Sequence, residues 1–295
     1  MAPKSAIKYA IVAAMLISAV WAIASPSVAI AATGDNKKTN DSSSNDGSSG
    51  TQDSKLHLPK PTDGVPSCGS VVTEDVTLQS DLKCDKNGLT VGADGITINL
   101  NGHTIESGKS RDNSMDAHIN FGGDSGISVP NSNHVTILGP GTIKGYENGV
   151  AFTGSSKGKV SDLILENNRA GVSIQGSNNI EVSINTINHN KYAIVSDSSS
   201  ENKEVFNSVA GNEKDGIVLL NTDDSVIAAN NMFGNGDNGI VLDSQSSGNK
   251  VDYNNVFGHD KADINNANGL APNVNDNDYG QNNNCLKSTP DGLCR

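Results

Sequence analysis

Residues 203–260 read KEVFNSVAGNEKDGIVLLNTDDSVIAANNMFGNGDNGIVLDSQSSGNKVDYNNVFGHD, and they contain the same unit twice over. NSVAGN at Asn207–Asn212 is followed by GIVL from Gly216, and NNMFGN at Asn230–Asn235 is followed by GIVL from Gly239. Working outward, related segments begin at Gly126, Gly149, Gly171 and Ala193, so the starts are 23, 22, 22, 23 and 23 residues apart. A constant period of this size is the signature of a solenoid, in which each unit buries its apolar face only against its neighbours.

The columns give the architecture. Ile127, Val150, Val172, Ile194, Ile217 and Ile240 share one place in the unit, and Val129, Phe152, Ile174, Ser196, Leu219 and Leu242 lie two residues on. A spacing of two puts both side chains on one face of a strand. A third column, Ile143, Leu165, Ile187, Val209 and Met232, continues at Val256 with one extra residue. Asn185, Asn207, Asn230 and Asn254 precede it by two residues. Asn168, Asn190, Asn212 and Asn235 follow it by three, with His259 in the matching place. Asparagine tolerates left-handed turns and bonds nearby backbone, and stacked amides bond each other from coil to coil. Short strands separated by polar turns predict an all-β, single-stranded right-handed parallel β-helix of 22–23-residue coils stacked about 4.8 Å apart. Leucine-rich repeats would need several fixed leucines per unit, and helical repeats more helix formers than these Gly-, Asn- and Ser-rich units hold.

The chain divides into three regions. Lys4 and Lys8 precede an uncharged run, Tyr9–Ala24, and Ala29-Ile30-Ala31 has the A-x-A form of a cleavage site, so residues 1–31 read as an export signal. Retention of the same segment as an anchor is the other reading, and it is the one route by which this chain would meet a membrane. Residues 32–64 are low-complexity Ser, Asn, Asp and Gly, with too few apolar groups to offset the entropy of ordering, and read as a tether. Residues 65–295 are the β-helix domain. Leu89–Val91, Ile96–Leu100 and His103–Ile105 are expected to form its first coil, with Cys68–Cys84 capping one end and Gly269–Arg295 the other. Of three possible pairings, the local bridges Cys68–Cys84 and Cys285–Cys294 suit an exported chain. The first closes a loop of about 15 residues, which contributes about 3 kcal/mol in the chain-entropy account. No C-x-x-C unit favours zinc.

Composition excludes some partners. A net charge of −12 repels phosphate backbones, which argues against nucleic acid, and it disfavours polyanionic glycans unless cations bridge them. Aromatics make up 4% of the chain and its one tryptophan, Trp21, lies in the export segment, so the rest has no tryptophan for sugar stacking, which counts against a carbohydrate platform. The domain is expected to be a secreted or cell-surface monomer, periplasmic if the organism has an outer membrane.

The opening CGSVVTEDVTLQSDLKC, with GLTVGADGITINLNGHTI after it, the units NSVAGN and NNMFGN, and the ending CLKSTPDGLC resemble right-handed β-helix repeat proteins. These are the NosD-like and wider carbohydrate-binding and sugar-hydrolase group of the pectate-lyase-like superfamily. The resemblance covers Cys68 to Arg295 and rests on turn and core positions. It implies the fold, and an extracellular glycan or cell-surface component as partner. The group holds polysaccharide lyases, hydrolases, epimerases, adhesins and a periplasmic accessory protein of copper-enzyme maturation, and fold does not choose among them.

Candidate chemistry is thin. Arg111, Arg169 and Arg295 are the only arginines, and Arg169 reads as an exposed turn residue. Asn221-Thr-Asp223-Asp224 matches a galacturonase-type motif in letters but lacks its companion segments. Asp197, Asp223, Asp224 and Asp243 follow the G-φ-x-φ strand in successive coils and form a candidate acidic edge for Ca²⁺, whose ligands are clustered oxygens. The excursion Ser107–Asp124 interrupts the period and carries Arg111, Asp112, Asp116, His118 and Asp124 as candidate loop contacts. His103, His134, His189 and His259 show no metal-ligand spacing, and soft Met or Cys sites are absent, so copper has no support in the spacing.

Overall fold

The computed structural model describes residues 66–109, 122–267 and 276–294. The export segment and tether lie outside them, as do Arg111, Asp112, Asp116 and His118. The described residues form 26 strands, paired in parallel in a ten-stranded and a sixteen-stranded sheet. They wind as a right-handed parallel β-helix of about nine turns. Most coils give one strand to the ten-stranded sheet and two short ones to the other, while two coils give the latter one long strand each, Thr136–Lys144 and Lys159–Glu166. Ile217–Leu220, Val226–Ala228 and Asn231–Phe233 make up one such coil. Among the described residues no helix is long and apolar enough to cross a membrane.

The interior is built from the expected columns. Ile194 pairs with Ile217 and Ile217 with Ile240, and the column continues to Ile264 on one side and through Val172, Val150 and Ile127 to Leu89 on the other. All are sealed from solvent. The third column runs from Leu82 and Ile105 through Met232 and Val256 to Cys285. A fourth column, not anticipated from the sequence, contains Ile98, Ile137, Val160, Val182, Glu204, Ile227, Val251 and Tyr279.

The ends differ from expectation. Cys68–Cys84 is not a separate cap. Its strands Ser70–Val72, Val76–Thr77 and Leu82–Cys84 pair in parallel with Leu89–Val91, Thr97–Asn99 and Thr104–Ser107, so the coil expected to be first is the second. At the other end Asp278–Tyr279, Asn284–Cys285 and Ser288–Thr289 add a final coil. Polar segments suffice there because only one side of an end coil faces apolar neighbours. Both local disulfides are present, with Cα–Cα distances of 5.4 Å for Cys68–Cys84 and 5.1 Å for Cys285–Cys294.

The asparagine columns close the corners. The Oδ1 of Asn207 accepts the backbone N–H of Asn185 at 3.0 Å, while its Nδ2 donates to the Val182 carbonyl at 2.8 Å and to Asn230 Oδ1 at 3.1 Å. The pattern recurs from Asn230 to Asn254 and from Asn254 to Asn283. At the second corner Asn168, Asn190, Asn212 and Asn235 repeat it, and His259 Nδ1 accepts the Asn235 N–H at 3.1 Å. Burial lowers the His259 pKa, which keeps the ring neutral and its Nδ1 free to accept. Backbone groups that turn away from the sheet at a corner would otherwise be buried without partners. Replacing Asn207 with Ala strips partners from several such groups, and the expected cost is about 2–4 kcal/mol, measured by denaturant unfolding.

Glu204 is wholly buried between Val182 and Ile227 in the fourth column. Its Oε1 accepts the Ser196 hydroxyl at 3.3 Å, and its Oε2 has no partner among the described residues. Desolvation raises its pKa from 4.5 to about 8, with the Ser196 hydrogen bond opposing the shift. The folded state therefore holds a proton between about pH 4.5 and 8 that the unfolded state releases, so stability falls as pH rises through that window and levels off above it. The loss at pH 7 is about 3 kcal/mol. Glu204→Gln is expected to flatten this slope in unfolding measured from pH 5 to 8. An unchanged slope would contradict the assignment.

Candidate functional site

The four aspartates of the expected acidic edge fall on three columns. Asp197 and Asp243 share one, with Leu220 of the intervening coil between them, while Asp223 and Asp224 lie in the next turn. Three of them have a side-chain partner. Asp243 Oδ1 accepts the N–H groups of Asn221 and Gln245 and the hydroxyl of Ser246, which braces the turn holding the extra residue of that coil. Asp223 Oδ1 accepts the Ser247 N–H and hydroxyl, both at 2.8 Å. Asp197 accepts the Ser198 hydroxyl, and Asp224 has a left-handed backbone against Gly248. Of the loop candidates Asp124 is described, and it pairs with Lys109 at 3.5 Å. Arg169, expected to be exposed, is buried, and its guanidinium lies 3.6 Å from Glu147. The acid stands in the same turn place one coil away, so the cation is paired on the surface of the stack instead of reaching into water.

The sixteen-stranded sheet presents a different surface. Ala210 pairs with Phe233 and Phe233 with Phe257, and Leu286 follows Cys285, the partner of Val256. Phe233 is 64% exposed and Leu286 84%. Beside this row runs a polar one, Ser208, Asn231, Asn255 and Asn284. Its amides bond each other along the coils: Asn255 Nδ2 donates to Asn231 Oδ1, and Asn284 Nδ2 to Asn255 Oδ1, each at 2.9 Å. A third row at the corner holds Phe206, Ala229 and Tyr253, with Phe206 65% and Tyr253 64% exposed. These three have left-handed φ of 55–58°, a region costly for bulky side chains. From Phe206 to Leu286 none of the side chains in these rows is charged, although the chain as a whole carries −12; further back the Phe233 row continues through Asn188 to Glu166 and Lys144. Past the corner the surface becomes charged again at Lys203 and Lys250, the latter 3.9 Å from Asp252.

Sequence reasoning missed this face because packing fixes no residue type at the outward positions, although they recur with the coil. The available signal was the strand pattern itself, which left Phe206, Phe233, Tyr253 and Phe257 at outward places.

Fold and surface together define a right-handed parallel β-helix protein with an uncharged apolar and amide lateral face. The family described as periplasmic copper-binding protein (NosD) matches residues 84–289, and the chain belongs to that family. A search of curated proteins finds no significant match. Among solved structures, the periplasmic alginate epimerase AlgG is 14% identical with a TM-score of 0.50, over 66% of this chain and 55% of its own. The GH136 lacto-N-biosidase from Eubacterium ramulus is 11% identical with a TM-score of 0.45, over 68% of this chain and 51% of its own. The chain thus spans little more than half of either protein, and the likeness is one of fold.

The residues described do not fit a copper centre. No three His, Cys, Asp or Glu side chains gather as a metal cluster among them. All four cysteines are in disulfides, Met232 is sealed in the core, and His259 accepts a backbone N–H. His103 contacts Asp81, and His134 and His189 occupy separate left-handed turns. Copper uptake by the full chain, measured by titration of the purified protein, is therefore expected to be unchanged within about twofold in the variant His103→Ala, His134→Ala, His189→Ala. A lost equivalent of copper would place a ligand among these three.

Proposed function

We propose that this is an exported β-helix protein that binds extracellular polysaccharide on the lateral face of its sixteen-stranded sheet. The observation that carries the reading is the exposure of Phe206, Phe233 and Tyr253 beside an amide row on an otherwise acidic protein. Apolar rings next to hydrogen-bonding amides are the combination by which proteins take up sugars, whose rings have apolar faces and hydroxyl edges. Leaving such rings in water has no structural benefit, and holding Phe206 and Tyr253 at left-handed turns adds strain, so a binding role accounts for both features. The two disulfides and the family's periplasmic description support a location outside the cytoplasm. The stretch of the three rows from Phe206 to Leu286 holds no carboxylate pair, so the reading is of binding.

Retention of the full-length protein on insoluble polysaccharides tests this. The native chain is expected to be retained, and Phe206→Ala with Tyr253→Ala to lower retention at least about fivefold, a loss of about 1 kcal/mol or more. Equal retention of the double variant, or none of the native protein on any polysaccharide, would exclude the proposed face. Release of new reducing or unsaturated ends during incubation would show catalysis in place of simple binding.

A further inference from the structure

The three rows run parallel to the helix axis, and each recurs once per coil. Coils in a parallel stack are about 4.8 Å apart, so Thr186, Ser208, Asn231, Asn255 and Asn284 make a line of five polar positions about 19 Å long, which ends at Ile164. Resting on the polysaccharide reading above, we infer that the ligand is a linear, uncharged, β-linked glycan lying along the axis, one sugar per coil over five coils.

Three observations select that chemistry. The first is commensurability. An extended β-linked pyranose chain advances by about one coil spacing, about 5 Å, per sugar, so a straight chain meets the same side-chain type at every step. A chain that coils, as α-linked glucans do, leaves the line after one or two sugars. The second is the amide row. After the coil-to-coil bonds are made, every amide N–H₂ in the row retains at least one hydrogen and every carbonyl oxygen at least one lone pair for solvent. A hydroxyl both donates and accepts, so hydroxyls at one edge of successive sugars can use both. The row is already ordered by its own bonds, which lowers the entropy lost on binding. Phe233, Phe257 and Leu286 on one side and Phe206 and Tyr253 on the other flank it, so a sugar over the amides has apolar surface at both margins. The third is charge. Nothing in the rows would neutralise a uronate, and the remaining surface of a −12 chain repels it. Lys203 and Lys250 border the corner, and they make the charge selection open to direct test.

A glycine supports the apolar row. Gly258 has φ of +74° and lies against the Phe233 ring, where an added Cβ would come within 3.3 Å of it. The ring is thus seated over the next coil's turn, and the row follows the axis.

Titration calorimetry of the full-length protein with cello-oligosaccharides of two to six sugars tests the inference, with malto-oligosaccharides and polygalacturonate as the other arms. Affinity is expected to climb with each sugar up to five and then level. Phe233→Ala and Asn255→Ala are each expected to lower tetrasaccharide affinity about tenfold while leaving the melting temperature unchanged. Cellotetraose binding no tighter than cellobiose, or malto-oligosaccharides or polygalacturonate bound as tightly, would overturn this inference and leave the broader polysaccharide reading standing. No binding of any glycan overturns both. A dimer in sedimentation that dissociates on Phe233→Ala would assign the face to a second copy of the chain and overturn the inference too.

Discussion

The fold depends on one interaction repeated up the stack, the bond between a corner asparagine and the backbone of the coil beside it. A parallel β-helix must turn a chain through several corners per coil with its interior sealed, and at each corner the backbone leaves the ladder. The N–H of Asn185 is buried there, too far from water to be hydrated, and the Oδ1 of Asn207 takes it. Because the same amide also donates to the Val182 carbonyl, one side chain satisfies groups that two strand ends leave open. The apolar columns then stack because the corners hold the coils in register. Serine does similar work at a further corner, where Ser155 Oγ accepts the Ser132 N–H and Ser177 Oγ that of Ser155. Where the partner is His259 the arrangement survives, since a neutral imidazole nitrogen accepts in the same place.

This logic explains what was legible in the sequence. Period, two-residue alternation and the corner amides are all imposed by packing, and all could be read before any coordinates. The fourth interior column was not, for a specific reason. Outside Thr136–Lys144 and Lys159–Glu166, its strands are two or three residues long with one inward side chain each, such as Lys203-Glu204-Val205, so alternation has too little length to show. Glu204 disguises it further, because a glutamate between a lysine and a valine reads as a surface residue. Its position inside the tube follows only from its pairing with Val182 and Ile227. The end coils were obscured in the same way: Asp75, Asp81 and Asp94 occupy places where carboxylates accept neighbouring N–H groups, and acids among Ser and Thr read as a cap.

The candidate acids show the opposite error. Asp197, Asp223, Asp224 and Asp243 look aligned when successive units are written one above another, yet the turn after the G-φ-x-φ strand varies in length and the four enter it at three different points. An extra residue beside Asp243 shifts everything beyond it by one. The carboxylates of Asp197, Asp223 and Asp243 are then used locally, for an N–H or a hydroxyl of their own turn or the next. Turn positions in a solenoid tolerate this because nothing stacks on them as strictly as on the interior.

Outward strand positions are free of both constraints, and so they carry the most information about partners. Interior columns must be apolar and corner columns must accept N–H groups, whatever the protein does. A residue such as Thr186 or Asn255 faces solvent from a strand of fixed geometry, and selection there answers to what arrives from outside. Some outward rows alternate in charge, as Lys159 and Glu181 do at 2.9 Å and as Glu106, Lys144 and Glu166 do in register. In the second of these rows the alternation stops after Glu166, and from Phe233 to Leu286 apolar groups replace it. The loss of charge is confined to one face, and at Phe206 and Tyr253 it coincides with a backbone conformation that bulky residues resist. Drift would not be expected to keep large apolar groups in water at strained turns. A straight, periodic surface built from a straight, periodic core is matched by a ligand that is itself straight and periodic.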